Sequence, residues 1–460
     1  MWYYLGAILC NYWSYLNNMQ NTLQNSIPAT VVDINHTGDA VGVLEGGKKV
    51  FFFGALPGEQ VSVTIQKKKR NFDLGKLDAI LSQSPDRVEP ACEHFALCGG
   101  CSLQHLKPTA QVATKQKSLF DQLQKFAGVL PDHILPPLLG PTIGYRNKAR
   151  LGVRYVIKKN KVLVGFREKD SRYLADLNSC KVLHPKIGNL IEALKQLITS
   201  LNSYDQIAQI EVAIGDVDVA LVFRNLQELP TKDHGILQQF GALHKLHIYL
   251  QPKGPQTIHK IWPEDNTNLL SYKLDNGLEF LFHPSDFTQI NPYINQKMVT
   301  KAVALLNLTS EDIILDLFCG LGNFTLPIGQ YVKKAIGLEA SIAMIERATK
   351  NAQHNNITNI EFYVQDLMQE NLDLSFLQQH NITKVLLDPP RVGAKECIPI
   401  LATLKPKLIL YVSCNPATLA RDSKSILALG YKLDAAGIMD MFPHTMHIES
   451  MALFCRVANN

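Results

Sequence analysis

At 460 residues the chain exceeds one ordinary hydrophobic core, so two or three domains are expected. Hydrophobic residues make up 46% and charged residues 19%, which excludes a disordered chain, and no apolar run reaches the length of a membrane span. A net charge of +5 excludes a uniformly basic protein, and nine cysteines outside a small secreted scaffold point to a reducing, cytoplasmic setting.

Residues 1–25 read as an N-terminal extension. Met1 to Asn18 is aromatic, apolar and uncharged, without the basic start of a signal peptide, and Leu9 before Cys10 does not fit a small-residue cleavage site. Met19 is the expected true start. Residues 26–84 alternate short strands with turn residues: Ala29 to Val32, Gly42 to Leu44, Lys49 to Phe52 and Gln60 to Ile65. That spacing predicts a small closed barrel, of the kind that binds oligonucleotides. Lys67, Lys68, Lys69 and Arg70 give it a basic edge, which serves either RNA or a solvated hairpin tip.

Residues 85–283 form the next domain. Cys92, Cys98 and Cys101 lie in Cys-Glu-His-Phe-Ala-Leu-Cys-Gly-Gly-Cys. Thiols this close, with glycines that let the backbone fold around them, point to a metal centre or cluster. A disulfide with an odd thiol is the plainer alternative. Val112, Leu119, Phe120, Leu123 and Phe126 repeat at helical spacing and stop at Gly128. Between Tyr145 and Arg172 ten Lys or Arg face only Glu168 and Asp170, an anion-binding stripe on an otherwise slightly acidic chain. Strand-like runs at Leu151 to Ile157, Ile210 to Phe223 and Lys245 to Gln251, with a helix near 187–200, indicate a mixed α/β domain.

From 284 to 460 strands and helices alternate, with strands at Ile313 to Leu317, Ala335 to Leu338, Ile360 to Val364, Val385 to Leu387 and Leu408 to Val412. This predicts an open parallel sheet with helices on both faces. Asp316-Leu-Phe318-Cys-Gly320-Leu-Gly322-Asn323 joins a strand to a helix through a Gly-x-Gly turn, and Glu339 ends the next strand, placed to accept both hydroxyls of a ribose. The third glycine of a dinucleotide fingerprint is replaced by Thr325. S-adenosylmethionine, which has no pyrophosphate, therefore fits better than NAD. Asp388-Pro-Pro-Arg391 and Ser413-Cys414-Asn-Pro416 follow the fourth and fifth strands, so they fall on the same sheet edge.

Methylation of N or O needs no enzymic nucleophile. C5 of a pyrimidine has no lone pair, so a thiolate must add to C6 and a base must then remove the C5 proton. Cys414, with local activation of its thiol, and Glu449 are the candidates.

The runs Asp388 to Arg391, Ser413 to Asp422 and Phe442 to Ser450 resemble the RNA 5-methyluridine methyltransferase family over nearly all of residues 27–458. The resemblance implies an OB-like TRAM barrel, a central α/β iron–sulfur domain and a Rossmann-like class I methyltransferase domain. It implies Cys414 as nucleophile, Glu449 as base, and Gln289, Phe318, Asn323, Glu339, Asp366 and Asp388 as contacts for S-adenosylmethionine. Cys92, Cys98, Cys101 and Cys180 are implied ligands of a [4Fe-4S] cluster. A barrel together with four such cysteines indicates the ribosomal branch of the family, hence 23S rRNA as partner, with position 1939 the expected uridine, flipped out against Phe287; no membrane partner is expected, and a monomer is the default expectation. Residue 366 is an aspartate where some members carry an amide, and Met446 replaces a commonly small residue. The rival readings are the same chemistry at uridine 747 or at both 23S sites, a radical enzyme, against which the Cys-x5-Cys-x2-Cys spacing argues, and a non-catalytic RNA-binding assembly factor.

Overall fold

The computed structural model describes residues 26–265, 269–370 and 372–457; the expected extension at 1–25 lies outside them. The chain divides into two compact units. The first takes the described residues up to Ala96 with Cys101–Gln111 and His444–Met446, and the second takes Leu97–Gly100, the described residues of Val112–Pro443 and those from His447.

In the first unit, β1 (Ser26–Ile34), β2 (Ala40–Leu44), β3 (Lys49–Phe52), β4 (Gln60–Lys68) and β5 (Phe72–Ser82) close a barrel in the order β1-β2-β3-β5-β4. Alternation builds its interior: Val31, Val50, Phe52, Val61 and Val63 point inward and are buried, as a half-buried strand requires. The fifth strand was hidden in the sequence by Asp73, Gly75, Lys76 and Asp78. Its Asp73 is buried against Lys48, 2.6 Å away, and the strand pairs with both β3 and β4 to close the barrel. Lys67 to Arg70 are exposed where β4 turns into β5.

The second unit contains a six-stranded sheet in the order β12-β11-β10-β9-β7-β8, a hairpin β13-β14 and an eight-stranded sheet. After the short β6 (His133–Ile134), the first of these uses β7 (Lys148–Val156), β8 (Lys161–Gly165), β9 (Ile207–Ile214), β10 (Val219–Asn225), β11 (His247–Leu250) and β12 (His259–Trp262). The run Ile210 to Phe223, expected as one strand, is the β9–β10 hairpin, which turns at Gly215 to Asp218. On β7, Ala149, Leu151 and Val153 are buried while Arg150 and Arg154 are exposed. The hairpin pairs β13 (Leu270–Lys273) with β14 (Glu279–Phe282).

The eight-stranded sheet holds β15 (Ile313–Leu317), β16 (Lys334–Glu339), β17 (Ile360–Val364), β18 (Lys384–Leu387), β19 (Leu408–Ser413), β20 (Tyr431–Met439) and β21 (Glu449–Arg456), in the order β17-β16-β15-β18-β19-β21-β20-β6. All five expected strands are present and parallel. Alternate residues along them feed two separate core clusters. Ile314, Leu386 and Leu410 enter one, and Leu315, Val385 and Ile409 enter the other. An earlier segment also joins this sheet: β6 pairs with β20, and Leu119 and Leu123 join the second cluster. Their helix, Pro108–Gln122, runs into a π-helical turn that ends at Gly128 with φ +70°, the left-handed residue that stops a helix.

Candidate active site

The strand order reverses beside β15, and the loops at the carboxyl ends of β15, β16, β18 and β19 meet there, where open α/β sheets bind ligands. Phe318 and Gly320 both have positive φ, at +67° and +56°. For a bulky aromatic this is a strained conformation, held by its surroundings. A Cβ on Gly322 would lie 2.3 Å from Leu326, so only glycine lets the turn reach the following helix. Glu339 accepts hydrogen bonds from the amides of Gly320 (3.3 Å) and Ser341 (3.0 Å), which fixes its carboxylate at the mouth of the turn.

The register of the last strand brings nucleophile and base candidates together. β21 runs antiparallel to β19 with Ser413 opposite Ser450, so the residues just past that pair, Cys414 and Glu449, face each other. Asn415 then caps the helix Pro416–Ala428 by accepting from the amide of Ala417, and its side-chain amide donates to the carbonyl of Arg391 at 3.0 Å. That bond ties the Asp-Pro-Pro-Arg loop to the Cys414 loop. Deeper in, Asp422 accepts from Tyr411 (2.7 Å) and from the amide of Ala394 (2.8 Å), which anchors both loops to the core.

The segment leading to Glu449 is held by a buried ion pair that no local pattern announces. Lys115 donates to Asp440 at 2.6 Å and to the carbonyl of Phe442 at 2.9 Å. Asn291 donates to the Met441 carbonyl and Tyr145 to that of Pro443. Burying Lys115 lowers its pKa while Asp440 opposes that shift, and removing either partner would strand the other charge in the core.

These loops enclose a cavity of about 630 Å³ lined by Phe287, Gln289, Phe318, Gly320, Glu339, Met344, Asp366, Asp388, Arg391, Phe442, His447, Cys414 and Glu449 among others. Gln289, Phe318, Glu339, Asp366, Asp388, Cys414 and Glu449 are thus gathered into one site. Asn323 is not in the lining: its side chain pairs with Asn295 (2.8 and 3.1 Å) and accepts from Tyr272 (2.9 Å). Arg391 and His447, present in the motifs without an assigned role, contact each other at 3.2 Å.

The cavity is recessed from bulk solvent and rich in carboxyls. Burial pushes Asp388 up to about 7. Burial, then the charge of Asp388, pushes Glu449 up to about 8, with Arg391 opposing. The Cys414 thiol rises to about 11, through burial first and then Glu449 and Asp388, again against Arg391. The sequence predicts an activated thiol; of the charged groups around Cys414, Arg391 favours its ionisation, against burial and the neighbouring carboxyls.

None of the four cysteines singled out with the cluster lines this cavity. Cys98 forms a β-bridge with Glu168, and Lys169 donates to its carbonyl at 2.9 Å; Cys180 donates its amide to Gly188. Cys98 and Cys180 pack against the same apolar core. Among the described residues no group of three or more His, Cys, Asp or Glu is gathered so as to hold a metal ion. Most cations of the 145–172 stripe are exposed, Arg150, Arg154, Lys158, Lys159, Lys161, Arg167 and Arg172 among them. Lys148 is turned inward. No helix among the described residues is long and apolar enough to cross a membrane.

With this geometry the chain can be set beside known proteins. Residues 107–457 match the model of the tRNA (uracil-5-)-methyltransferase family, and residues 25–77 match the TRAM domain. A protein of Alcanivorax borkumensis described as 23S rRNA (uracil(1939)-C(5))-methyltransferase RlmD is 47% identical over 93% of this chain and 96% of its own length. One of the same description from Francisella tularensis subsp. novicida is 45% identical over 95% and 98%. Among solved structures, the Pyrococcus abyssi tRNA (uracil-54, C5)-methyltransferase in complex with S-adenosyl-L-homocysteine superposes with a TM-score of 0.70 at 25% identity, covering 93% of this chain and 100% of that one. The family model covers most of the chain and full-length relatives reach 47% identity, so the chain belongs to the tRNA (uracil-5-)-methyltransferase family.

Proposed function

We propose that this protein is a cytoplasmic, monomeric enzyme that methylates C5 of one uridine in 23S rRNA, the position numbered 1939 in the description of its relatives. The observation that carries the reading is the pairing of Cys414 with Glu449 by strand register, inside a cavity that opens on the glycine turn. The cavity suits S-adenosylmethionine: Glu339 takes the ribose hydroxyls, Phe318 an apolar face of the nucleoside, and Gln289, Asp366 and Asp388 its polar groups. Asn323, at the end of the glycine turn and held by Asn295, is a further proposed contact for the cofactor. When bound, S-adenosylmethionine supplies an electrophilic methyl group.

The chain's own residues do the rest. A uridine flipped out of its stack rests against Phe287, which is 65% exposed at the rim. Cys414 adds as thiolate to C6, which makes C5 nucleophilic. Arg391, the cation that opposes the rise of the thiol pKa, favours this ionisation. Glu449 takes the C5 proton after the methyl group is in place, and the C6–sulfur bond breaks. The exposed cations of the stripe and the barrel edge hold the phosphate backbone.

Cys92, Cys98, Cys101 and Cys180 are the proposed ligands of a [4Fe-4S] cluster with a structural role; an all-thiolate donor set suits iron–sulfur, and no catalytic step runs through it. Anaerobically purified protein should contain iron and acid-labile sulfide, about four of each per chain. Fully active protein free of both removes the cluster from the account.

The function is tested by mapping 5-methyluridine in 23S rRNA from a strain lacking the gene. The modification at position 1939 should vanish and return on complementation. Loss at a different position would keep the chemistry and correct the target. An unchanged rRNA would overturn the reading.

A further inference from the structure

The loop that carries Phe287 and Gln289 is held at Asp286 through both its side chain and its main chain. Its carboxylate, 8% exposed with the rest of the residue, accepts from the amide of His283 at 2.7 Å and from Arg347 Nε at 3.0 Å. Arg347 lies on the helix Ile342–His354, one turn after Met344, which lines the cavity. Lys148, on β7, donates to the main-chain carbonyl of Asp286. That carbonyl belongs to the peptide unit joining Asp286 to Phe287, so the ammonium sets the plane from which the Phe287 ring projects. A further bond, from the amide of Asn147 to the carbonyl of Ile290 (2.8 Å), fixes the far end of the loop.

Stability alone does not call for a lysine here. A carbonyl is satisfied by any neutral donor, whereas burying an ammonium is costly. Desolvation lowers the Lys148 pKa to about 8, with Asp286 and Glu211 opposing and Arg150 adding to the fall. Perturbed groups of this kind gather where a site needs fixed geometry. Phe287 gains nothing for the fold from its position either, being a large apolar ring left mostly in solvent.

We propose that Lys148 and Arg347, acting through Asp286, are positioning residues that hold Phe287 at the cavity rim so that the flipped uridine meets Cys414 in register. The inference rests on the uridine-methylating reading. It adds that one clamp links the RNA-facing strand β7 to the helix that lines the other wall of the cavity.

The test uses the full chain and a 23S rRNA hairpin spanning position 1939 with 5-fluorouridine at the target. Fluorine at C5 cannot be removed as a proton, so the Cys414 adduct persists and its rate of formation can be read on a gel. No adduct with the unaltered protein would count against the functional reading itself. Given an adduct, Lys148→Met should slow its formation about tenfold, in line with the cost of small misplacements, and Lys148→Arg should recover most of the rate. Affinity for S-adenosylhomocysteine should stay within about twofold in both. In a Phe287→Ala background the same Lys148→Met change should cost less than about threefold, because its effect runs through the ring. A wild-type rate in Lys148→Met, or the same fold-loss on both backgrounds, overturns the proposal. If Lys148→Met does not fold, Arg347→Met loosens the carboxylate and goes through the same cycle, where the same two results support or overturn the proposal.

Discussion

Cys414→Ala should abolish methyl transfer, by about 10⁴-fold or more, the scale on which loss of a nucleophile is felt, while leaving RNA and cofactor binding intact. The change removes a side chain at the end of β19, outside the core clusters, and leaves the Asn415–Arg391 tie and the Asp422 anchor untouched, so the fold should persist. Single-turnover methylation with filter binding on the same preparation separates chemistry from recognition. Retained transfer would remove Cys414 as nucleophile, and lost RNA binding would make it a structural residue instead.

The second large effect concerns Glu449. Glu449→Gln should cut turnover about 10³-fold, within the range for loss of a general base, and should accumulate a covalent RNA adduct visible as a slow-migrating band. Addition to C6 and methylation at C5 do not need this carboxylate, but release does. The pH dependence follows from the direction of its shift. Glu449 is held up to about 8 by burial and by Asp388, so the ionised form that takes the proton is a minority at neutral pH and grows as pH rises through about 8. Adduct breakdown in the unaltered protein should therefore quicken over that window, and flat kinetics would assign the base elsewhere. The same shift places the folded chain's proton above the unfolded value of 4.5. The folded state binds more protons between the two values, so this group costs stability as pH rises through that range. That cost is accepted for a base whose pKa suits neutral conditions.

Much of this site is legible in the residues because the chemistry sits at strand ends. Asp316 to Asn323, Asp388 to Arg391 and Ser413 to Pro416 each follow an apolar strand, and the strand-to-loop rule for parallel sheets puts all three on one edge. Glu449 is different. A lone acid opening a strand means little until the antiparallel register sets Ser450 opposite Ser413, and register between residues 37 positions apart in the chain is not a local property. For the same reason Lys115, more than three hundred residues from Asp440, gives no local signal, nor does Lys148 as anything other than one more cation of the stripe. Asn323, a cofactor contact implied by the resemblance, is held by Asn295 and Tyr272, partners that lie far off in the chain and that no local pattern announces. The missed strand β5 has a physical cause too, since its polar residues are satisfied on the barrel by Lys48 and Thr64 and so break the apolar alternation.

The central claim, that Cys414 forms a bond to the target uridine and Glu449 resolves it, is tested most directly by mass spectrometry of the Glu449→Gln adduct after protease and nuclease digestion. The expected product is a peptide containing Cys414 joined through sulfur to C6 of a 5-methylated uridine from position 1939 of the rRNA. A nucleotide attached to any other residue, or a variant that methylates and releases RNA freely with no adduct at all, would contradict it.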